Sequence, residues 1–319
     1  MLRYVAKRVL MFIPIILGVT IFVFSLLYFT PGDPAQTILG SDATEEELEA
    51  VREELGLNDS YLERFTSYCS DVFLHGDLGE SWVNGRAISA EVASRMPKTF
   101  QVAIISVILA VCIGMPLGII SATNQYTWKD NVAIIVALMG VSMPGFWVGL
   151  MLSLVFALKL GWLPASGWGD IQYLILPCVS IALSGAGSIA RQTRSSMLEV
   201  IRQDYITTAR AKGQTERKVI YVHALRNALI PIVTQVGTML GIQLSGAIVA
   251  ESIFSIPGIG TYMVSGIKNR DYPTVQGSVL VVAIIFSLVM LLVDVAYAFV
   301  DPRIKAQYSV KKKKTAKEA

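Results

Sequence analysis

The sequence contains little charge, few histidines and few cysteines. Only 16% of its 319 residues are charged, and it has two histidines and three cysteines. These histidines and cysteines share no metal-ligand spacing, so the sequence indicates no metal centre. It also lacks the G-x-x-x-x-G-K-[ST] loop that cradles nucleotide phosphates. We therefore expect no catalytic residue in this chain and no cofactor bound by it.

Hydrophobic residues dominate the composition instead. They make up 53% of the chain, and the mean hydropathy is +0.56, well outside the range of soluble domains. A membrane-spanning helix needs about 20 apolar residues. Six stretches meet this requirement: 9–29, 100–121, 131–158, 171–190, 228–250 and 276–300. The sequence predicts an all-α membrane protein with six transmembrane helices, the first of which is too long for a cleaved signal core.

The predicted spans hold one deep ionisable residue, Asp294. We favour a structural pairing of Asp294 with an arginine such as Arg191 or Arg194 over a role in ion coupling. A proton-coupled carrier needs several carboxylates within the membrane, so a complete transporter in this single chain is the weaker alternative. A third interpretation, a membrane scaffold without a transport role, is not excluded by the sequence.

Basic residues are distributed unequally between the two sides of the predicted membrane domain. The side that includes both termini has 19 of the 27 basic residues and 6 acidic ones, whereas the other side has 8 basic and 17 acidic residues. The positive-inside rule then places both termini in the cytoplasm. The chain divides into the N-terminus with the first helix (1–29), an extracytoplasmic insertion (30–98), a core of five helices (99–300) and a basic cytoplasmic tail (301–319).

The insertion is acidic and has helical patterning. Thr44 and Glu47 are spaced as a capping box, and Gly56 marks the end of that helix. A second helix is predicted from the spacing of its apolar residues, which are Tyr61, Phe65, Tyr68 and Val72. The insertion is either a docking platform for an external protein or a lid that covers loops.

A polar passage, DYITTARAKGQTERK (204–218), lies in the loop at 191–228 between the fourth and fifth spans. Residues 204–212 are predicted to form a short helix, and Gly213 supplies the left-handed conformation that turns the chain. A second helix follows, with Pro231 in the first turn of the fifth span. Its predicted apolar face consists of Val219, Val222, Leu225 and Leu229.

The passage TTARAKG, with Pro231 downstream, resembles the EAA loop of ABC importer permeases of the dipeptide, oligopeptide and nickel family. Thr207 stands at the position of the glutamate in that motif, Thr208 and Ala209 at its two alanines, and Gly213 at its glycine. Further family motifs occur in order along the chain. They are PGDPA (31–35), GDLG (76–79), MPLG (115–118), SMPGFW (142–147), GWLPASG (161–167), ESIFSIPGIG (251–260), RDYP (270–273) and DPR (301–303).

The resemblance implies a type I ABC importer permease fold in a bacterial or archaeal cytoplasmic membrane. It implies a second, similar permease, two cytoplasmic ATPases that bind ATP and Mg²⁺, and an extracytoplasmic binding protein. The expected cargo is a di- or oligopeptide, with nickel, glutathione or another small solute as alternatives. The implied contact surface for the ATPases consists of Asp204, Tyr205, Thr207, Thr208, Ala209, Arg210, Ala211, Lys212 and Gly213. The sequence identifies no substrate ligand, and Pro144 is interpreted as either a kink or a packing break in the third helix.

Overall fold

The computed structural model describes residues 2–40, 42–244 and 247–300, and in this part of the chain the only extended pairing is an isolated bridge between Glu80 and Ala87. The helices are α1 (Leu2–Tyr28), α2 (Pro34–Leu39), α3 (Glu45–Glu54), α4 (Tyr61–Ser70), α5 (Ile88–Thr123), α6 (Trp128–Ser142), α7 (Gly145–Leu152), α8 (Gln172–Ile201), α9 (Asp204–Ala211), α10 (Glu216–Lys218), α11 (Leu225–Leu244), α12 (Ile248–Ile253), α13 (Ile259–Lys268) and α14 (Tyr272–Val300). The π-helical segments Asp71–His75, Ser153–Lys159 and Val219–Ala224 continue α4, α7 and α10.

The predicted multi-pass helical architecture is confirmed. Five helices are long and apolar enough to span a membrane, and a bent helix pair brings the number to as many as six. Several helices extend beyond the predicted spans, and among them α5 begins at Ile88 and α8 ends at Ile201. The residues in these extensions are less apolar than those of the predicted spans, and packing against neighbouring helices stabilises them as helix. Ile88 in α5 and Met197 in α8 are fully buried against neighbouring helices.

The third predicted span is broken in the structure, as the interpretation of Pro144 as a kink or a packing break allowed. Residues 131–158 fall on α6 and on α7 with its π-helical continuation, and the two parts meet at an angle of 96°. The break lies at Met143 and Pro144, which both have extended backbone conformations. A proline has no N–H for the helix and disfavours helical geometry in the residue before it. Pro144 therefore marks a true break in this span.

The centre of the fold is the contact of α5 with α8, and glycines bring these helices close together. A Cβ on Gly114 would lie 2.4 Å from the Ala186 carbonyl oxygen, and one on Gly118 would lie 2.6 Å from the Ala190 carbonyl oxygen. On α8, a Cβ on Gly187 would lie 2.3 Å from the Ala137 carbonyl oxygen of α6. Small residues at these positions allow close backbone packing.

The segment between α1 and α5 is a helical layer packed on α1. The predicted capping box of Thr44 and Glu47 is present at the start of α3, and Gly56 follows the end of that helix with φ +62°. The predicted second helix is α4 with its π-helical turn. Its Tyr61 and Phe65 rings contact Phe24 of α1 edge-to-face, at centroid distances of 5.4 and 5.2 Å. Ser60 and Glu63 form a second capping box.

Two sequence predictions concern parts that lie outside this description. The basic tail, residues 301–319, is not among the described residues. Asp294 falls within α14, but its side chain is outside the described part of the structure. Its pairing with an arginine therefore stays a prediction.

Candidate functional site

The polar passage forms the expected helix and turn. The α9 helix covers Asp204–Ala211 after the extended residue Gln203. Its end is closed by backbone hydrogen bonds from Lys212 N to the Thr208 oxygen and from Gly213 N to the Arg210 oxygen, at 3.0 and 2.9 Å. Gly213 has φ +74°, and nothing lies within 4 Å of the position where a Cβ would stand. This left-handed residue reverses the chain after α9.

A single aliphatic side chain anchors α9. Ile206 is fully buried in an apolar cluster that we call the α9 socket. The socket consists of Ile119 and Ala122 on α5, Met197 on α8, and Val219, Ile220, Ala224 and Ala228 on the helix after α9. Ile206 was not predicted as a site residue, although it is the only aliphatic side chain larger than alanine between Asp204 and Lys212.

Most of the predicted contact residues surround this anchor on an exposed surface, which we call the α9 knob. The exposed members are Asp204, Tyr205, Thr207, Thr208, Arg210, Ala211, Lys212 and Gly213. Ala209 differs, because it is half-buried and packs against the socket. Partial burial raises the pKa of Tyr205, and a hydrogen bond with Asn227 opposes this rise. The knob is thus a small surface fixed from beneath by the fully buried Ile206, with Ala209 packed beside it.

An ion pair braces the turn after the knob. Arg210 donates from Nε and Nη2 to the two carboxylate oxygens of Glu216, at 3.1 and 2.6 Å. These hydrogen bonds raise the pKa of Arg210 above its usual value. This pair was not predicted from the sequence, because the two residues are six positions apart and meet only when Gly213 turns the chain. Both side chains are substantially exposed, so the brace contributes orientation more than stability.

The helix after the knob has a different buried face from the one predicted. Val219 is buried as expected, but Val222 is 49% exposed. The face that packs inward continues through Ile220, Ala224 and Ala228. The cause is the π-helical segment Val219–Ala224, which shifts the phase of the helix by about one residue relative to a regular α-helix.

The predicted second helix and the fifth span form one helix. The helical path is continuous from Glu216 to Leu244, so Pro231 lies well inside it and not in its first turn.

Beside the socket, a buried ion pair joins three helices, and we call it the Asp130 clasp. Arg194 of α8 donates from Nε and Nη2 to the two carboxylate oxygens of Asp130 in α6, at 3.0 and 2.9 Å. Ser121 of α5 donates its hydroxyl hydrogen to Asp130. The Tyr126 backbone N–H completes the site at 3.0 Å. Arg194, one of the arginines considered for Asp294, is thus bound to Asp130.

A cavity of about 540 Å³ lies between α7, α8, α11 and α12. Its polar lining consists of Ser180, Ser184, Ser188, Gln235, Thr238 and Gln243. The glycine and serine run at 184–188 serves two purposes. Gly187 packs against α6, while Ser184 and Ser188 face this cavity. We call it the α8–α11 cavity.

The motif ESIFSIPGIG folds around its own glutamate. Glu251 of α12 is completely buried and accepts hydrogen bonds from Thr99 Oγ1 at 2.6 Å and from the Thr261 backbone N–H at 3.0 Å. Burial raises the pKa of Glu251, and these hydrogen bonds oppose the rise. A Cβ on Gly258 or Gly260 would lie within 2.9 Å of the carboxylate. The glycines are therefore needed for the close approach of the backbone to Glu251.

A second buried acid connects other quoted motifs. Asp271 of RDYP accepts hydrogen bonds from Ser81 Oγ at 2.6 Å and from the Trp82 backbone N–H at 3.1 Å. The guanidinium of Arg270 lies directly over Gly32 of PGDPA, where it occupies the space of a Cβ. These contacts attach the segment between α1 and α5 to the start of α14.

Comparison with known proteins identifies the same architecture. The family described as "Binding-protein-dependent transport system inner membrane component" matches residues 114–306, and its N-terminal companion matches residues 1–103. The dipeptide transport system permease protein DppB of Alkalihalophilus pseudofirmus is 44% identical, covering 96% of this chain and 100% of the relative. The glutathione transport system permease protein GsiC of Escherichia coli K12 is 41% identical, covering 96% and 99%.

Solved structures agree with this fold. An inward-facing structure of the MetNI methionine ABC transporter superposes with a TM-score of 0.57 at 16% identity, covering 66% of this chain and 96% of that chain. A second inward-facing MetNI structure gives a TM-score of 0.55 at 17% identity, covering the same shares. At this identity the similarity speaks for the fold alone. Taken with the family matches over both halves of the sequence, it shows that the chain belongs to the inner membrane components of binding-protein-dependent transport systems, the permease subunits of ABC importers.

Proposed function

We propose that the α9 knob is the surface through which two cytoplasmic ATPase subunits drive this permease. The observation that carries the proposal is the combination of an exposed polar surface with a fully buried anchor, Ile206. Force applied to an exposed loop is lost unless the loop is fixed to the membrane helices. The socket fixes α9 to α5, α8 and α11, so a displacement of the knob must move those helices with it.

In this proposal the chain pairs with a second, homologous permease, and an extracytoplasmic binding protein delivers the cargo. The ATPases bind ATP and Mg²⁺, while this chain has no nucleotide site of its own. Both termini lie in the cytoplasm, as the unequal distribution of basic residues indicates. The knob lies on that cytoplasmic side, and the segment between α1 and α5 lies on the other.

Small peptides are the cargo that the relatives favour. One relative is named for dipeptides and another for glutathione. Glutathione is a modified tripeptide, so both names describe short, flexible molecules with amide groups and variable charge. We therefore propose short peptides as the cargo class, with glutathione as the second candidate.

The proposal is tested by Gly213→Val in the complete transporter, reconstituted in vesicles with its partner permease, ATPases and binding protein. A β-branched residue at φ +74° strains the turn that orients the knob. We expect assembly to persist, and peptide uptake to fall by a larger factor than ATP hydrolysis. Gly85→Val is the matched control, because Gly85 has φ +64° and open space around it but lies far from α9 in sequence. An unchanged ratio of uptake to hydrolysis in Gly213→Val would contradict the proposal.

A further inference from the structure

The polar groups of the α8–α11 cavity are spaced to face one another across it. Ser180, Ser184 and Ser188 follow one stripe of α8 at intervals of four residues. On α11, Gln235 and Gln243 lie on the stripe that Thr238 shares. Both stripes fall within helices that are long and apolar enough to span the membrane. The cavity is therefore a polar surface within a hydrophobic protein.

Several of these groups have unused hydrogen-bonding capacity. Thr238 and Ser180 donate to backbone carbonyl oxygens of their own helices. In contrast, the side chains of Ser184, Ser188, Gln235 and Gln243 make no hydrogen bond with any residue in the described part of the chain. A polar group in contact with hydrocarbon costs free energy if it has no partner. These side chains must meet water, cargo or another protein in the assembled transporter.

The lining residues of the cavity carry no ionisable side chain. A glutamine amide offers one acceptor and two donor hydrogens, and a serine hydroxyl offers one donor and two acceptor positions. The backbone of a peptide offers the complementary groups at every residue. A volume of about 540 Å³ is within the range of sites that hold small ligands. The polar lining can therefore form hydrogen bonds with a peptide backbone, and because it is uncharged it does not discriminate between acidic and basic side chains.

We propose that the α8–α11 cavity is a section of the cargo path, in which Gln235 and Gln243 bind the peptide backbone and the uncharged lining admits acidic and basic peptides alike. The proposal rests on the proposed role of this chain as a peptide-importing permease. An uncharged lining of this kind would let one path serve peptides of different charge. Selection by charge is then left to the binding protein.

The alternative is that the partner permease covers this surface completely. The rim carries exposed apolar side chains, Phe146, Ile242 and Val249, which suit contact with lipid or with a second helical protein. The polar residues behind the rim do not suit lipid. We therefore expect the rim to be the contact and the polar floor to stay open to water.

The first experiment introduces a charge without changing size. In the reconstituted transporter, Gln243→Glu and Gln235→Glu should each lower uptake of acidic peptides relative to basic peptides of equal length by about 25-fold. Repulsion of the acidic peptide and attraction of the basic one each contribute about fivefold, the effect of two unit charges about 4 Å apart in water. Gln172→Glu is the control, because Gln172 is an exposed residue at the start of α8 outside the cavity. A shift in the ratio for the two cavity variants but not for Gln172→Glu supports the proposal.

Thiol labelling separates cargo from partner. Ser184→Cys and Thr238→Cys should react with a charged, water-soluble thiol reagent in the assembled transporter, above the level of the unsubstituted protein, and cargo peptide should reduce the reaction. No reaction in the assembly would mean that the partner permease covers the surface, and it would overturn the proposal.

Two failures are distinguishable. If the unsubstituted transporter imports no peptide, the proposed function fails. If it imports peptides normally but the glutamate variants leave the ratio of acidic to basic peptides unchanged, only the role of the cavity fails.

Discussion

Replacing Asp130 by asparagine preserves the size of the side chain and removes the charge that binds Arg194. In the folded chain the Asp130 side chain is 3% exposed and that of Arg194 is 26% exposed. The carboxylate receives two hydrogen bonds from the guanidinium, one from Ser121 and one from the Tyr126 backbone N–H. An asparagine keeps one acceptor oxygen, but its NH₂ group replaces the other acceptor with two donor hydrogens, which face groups that are donors themselves.

The expected loss of stability follows from this geometry. Breaking a buried ion pair by removing one partner costs about 3–5 kcal/mol, because the remaining charge is left without compensation. Arg194 retains some access to solvent, so we expect the lower end, about 3 kcal/mol. Asp130 connects α5, α6 and α8 at once, and the loss should therefore loosen the floor of the α9 socket as well as the clasp itself.

A double-mutant cycle isolates the pair from other effects. Unfolding of the purified chain in mild detergent would be measured for Asp130→Asn, Arg194→Gln and the double variant. We expect the two changes to be strongly non-additive, with a coupling energy of about 1–3 kcal/mol. Asp170→Asn makes the same chemical change at an exposed carboxylate and should leave stability within about 0.5 kcal/mol. Additive single effects would refute the reasoning, since they would mean that Asp130 and Arg194 stabilise the fold independently.

Two further predictions concern the packing around α9 and α8. Ile206→Ala should weaken the docking of α9 by about 2–5 kcal/mol, because it empties a fully buried position. Hydrogen exchange of the α9 amides should therefore become faster. Thr207→Ala, at an exposed position, should change the exchange rates little. Equal exchange in both variants would contradict the anchor role. Gly118→Ala should destabilise by about 1–3 kcal/mol in thermal unfolding, because the new Cβ would lie 2.5 Å from the Thr193 Cβ, whereas Gly18→Ala, with open space around it, should be tolerated.

Local signals explain which features were predictable from the sequence. The capping box of Thr44 and Glu47, the short α9 helix and the turn at Gly213 each depend on residues within a few positions of one another. Apolar run length located the membrane helices for the same reason. These predictions did not require knowledge of the contacts between helices.

The features that were missed depend on distant contacts. Asp130 and Arg194 are 64 positions apart, and nothing in either local sequence distinguishes a clasp from two solvated charges. The π-helical segment Val219–Ala224 moved the buried face from Val222 to neighbouring positions, and an ideal helical period cannot anticipate it. Pro144 signalled a break, but the angle of 96° is set by packing on other helices.

One helix, α8, connects the features on which the proposed function depends. It carries Ser188, which lines the α8–α11 cavity, Arg194 of the clasp and Met197 of the socket. From Ser188 to Met197 the helix rises by only about 14 Å. The helical path has no proline or break in this interval, so it transmits displacement as a rigid rod. In the proposed mechanism, a movement of α9 reaches the cavity through the socket and α8. A helix-breaking change between residues 188 and 197 should therefore uncouple peptide uptake from ATP hydrolysis, even though it alters neither the α9 knob nor the lining of the cavity.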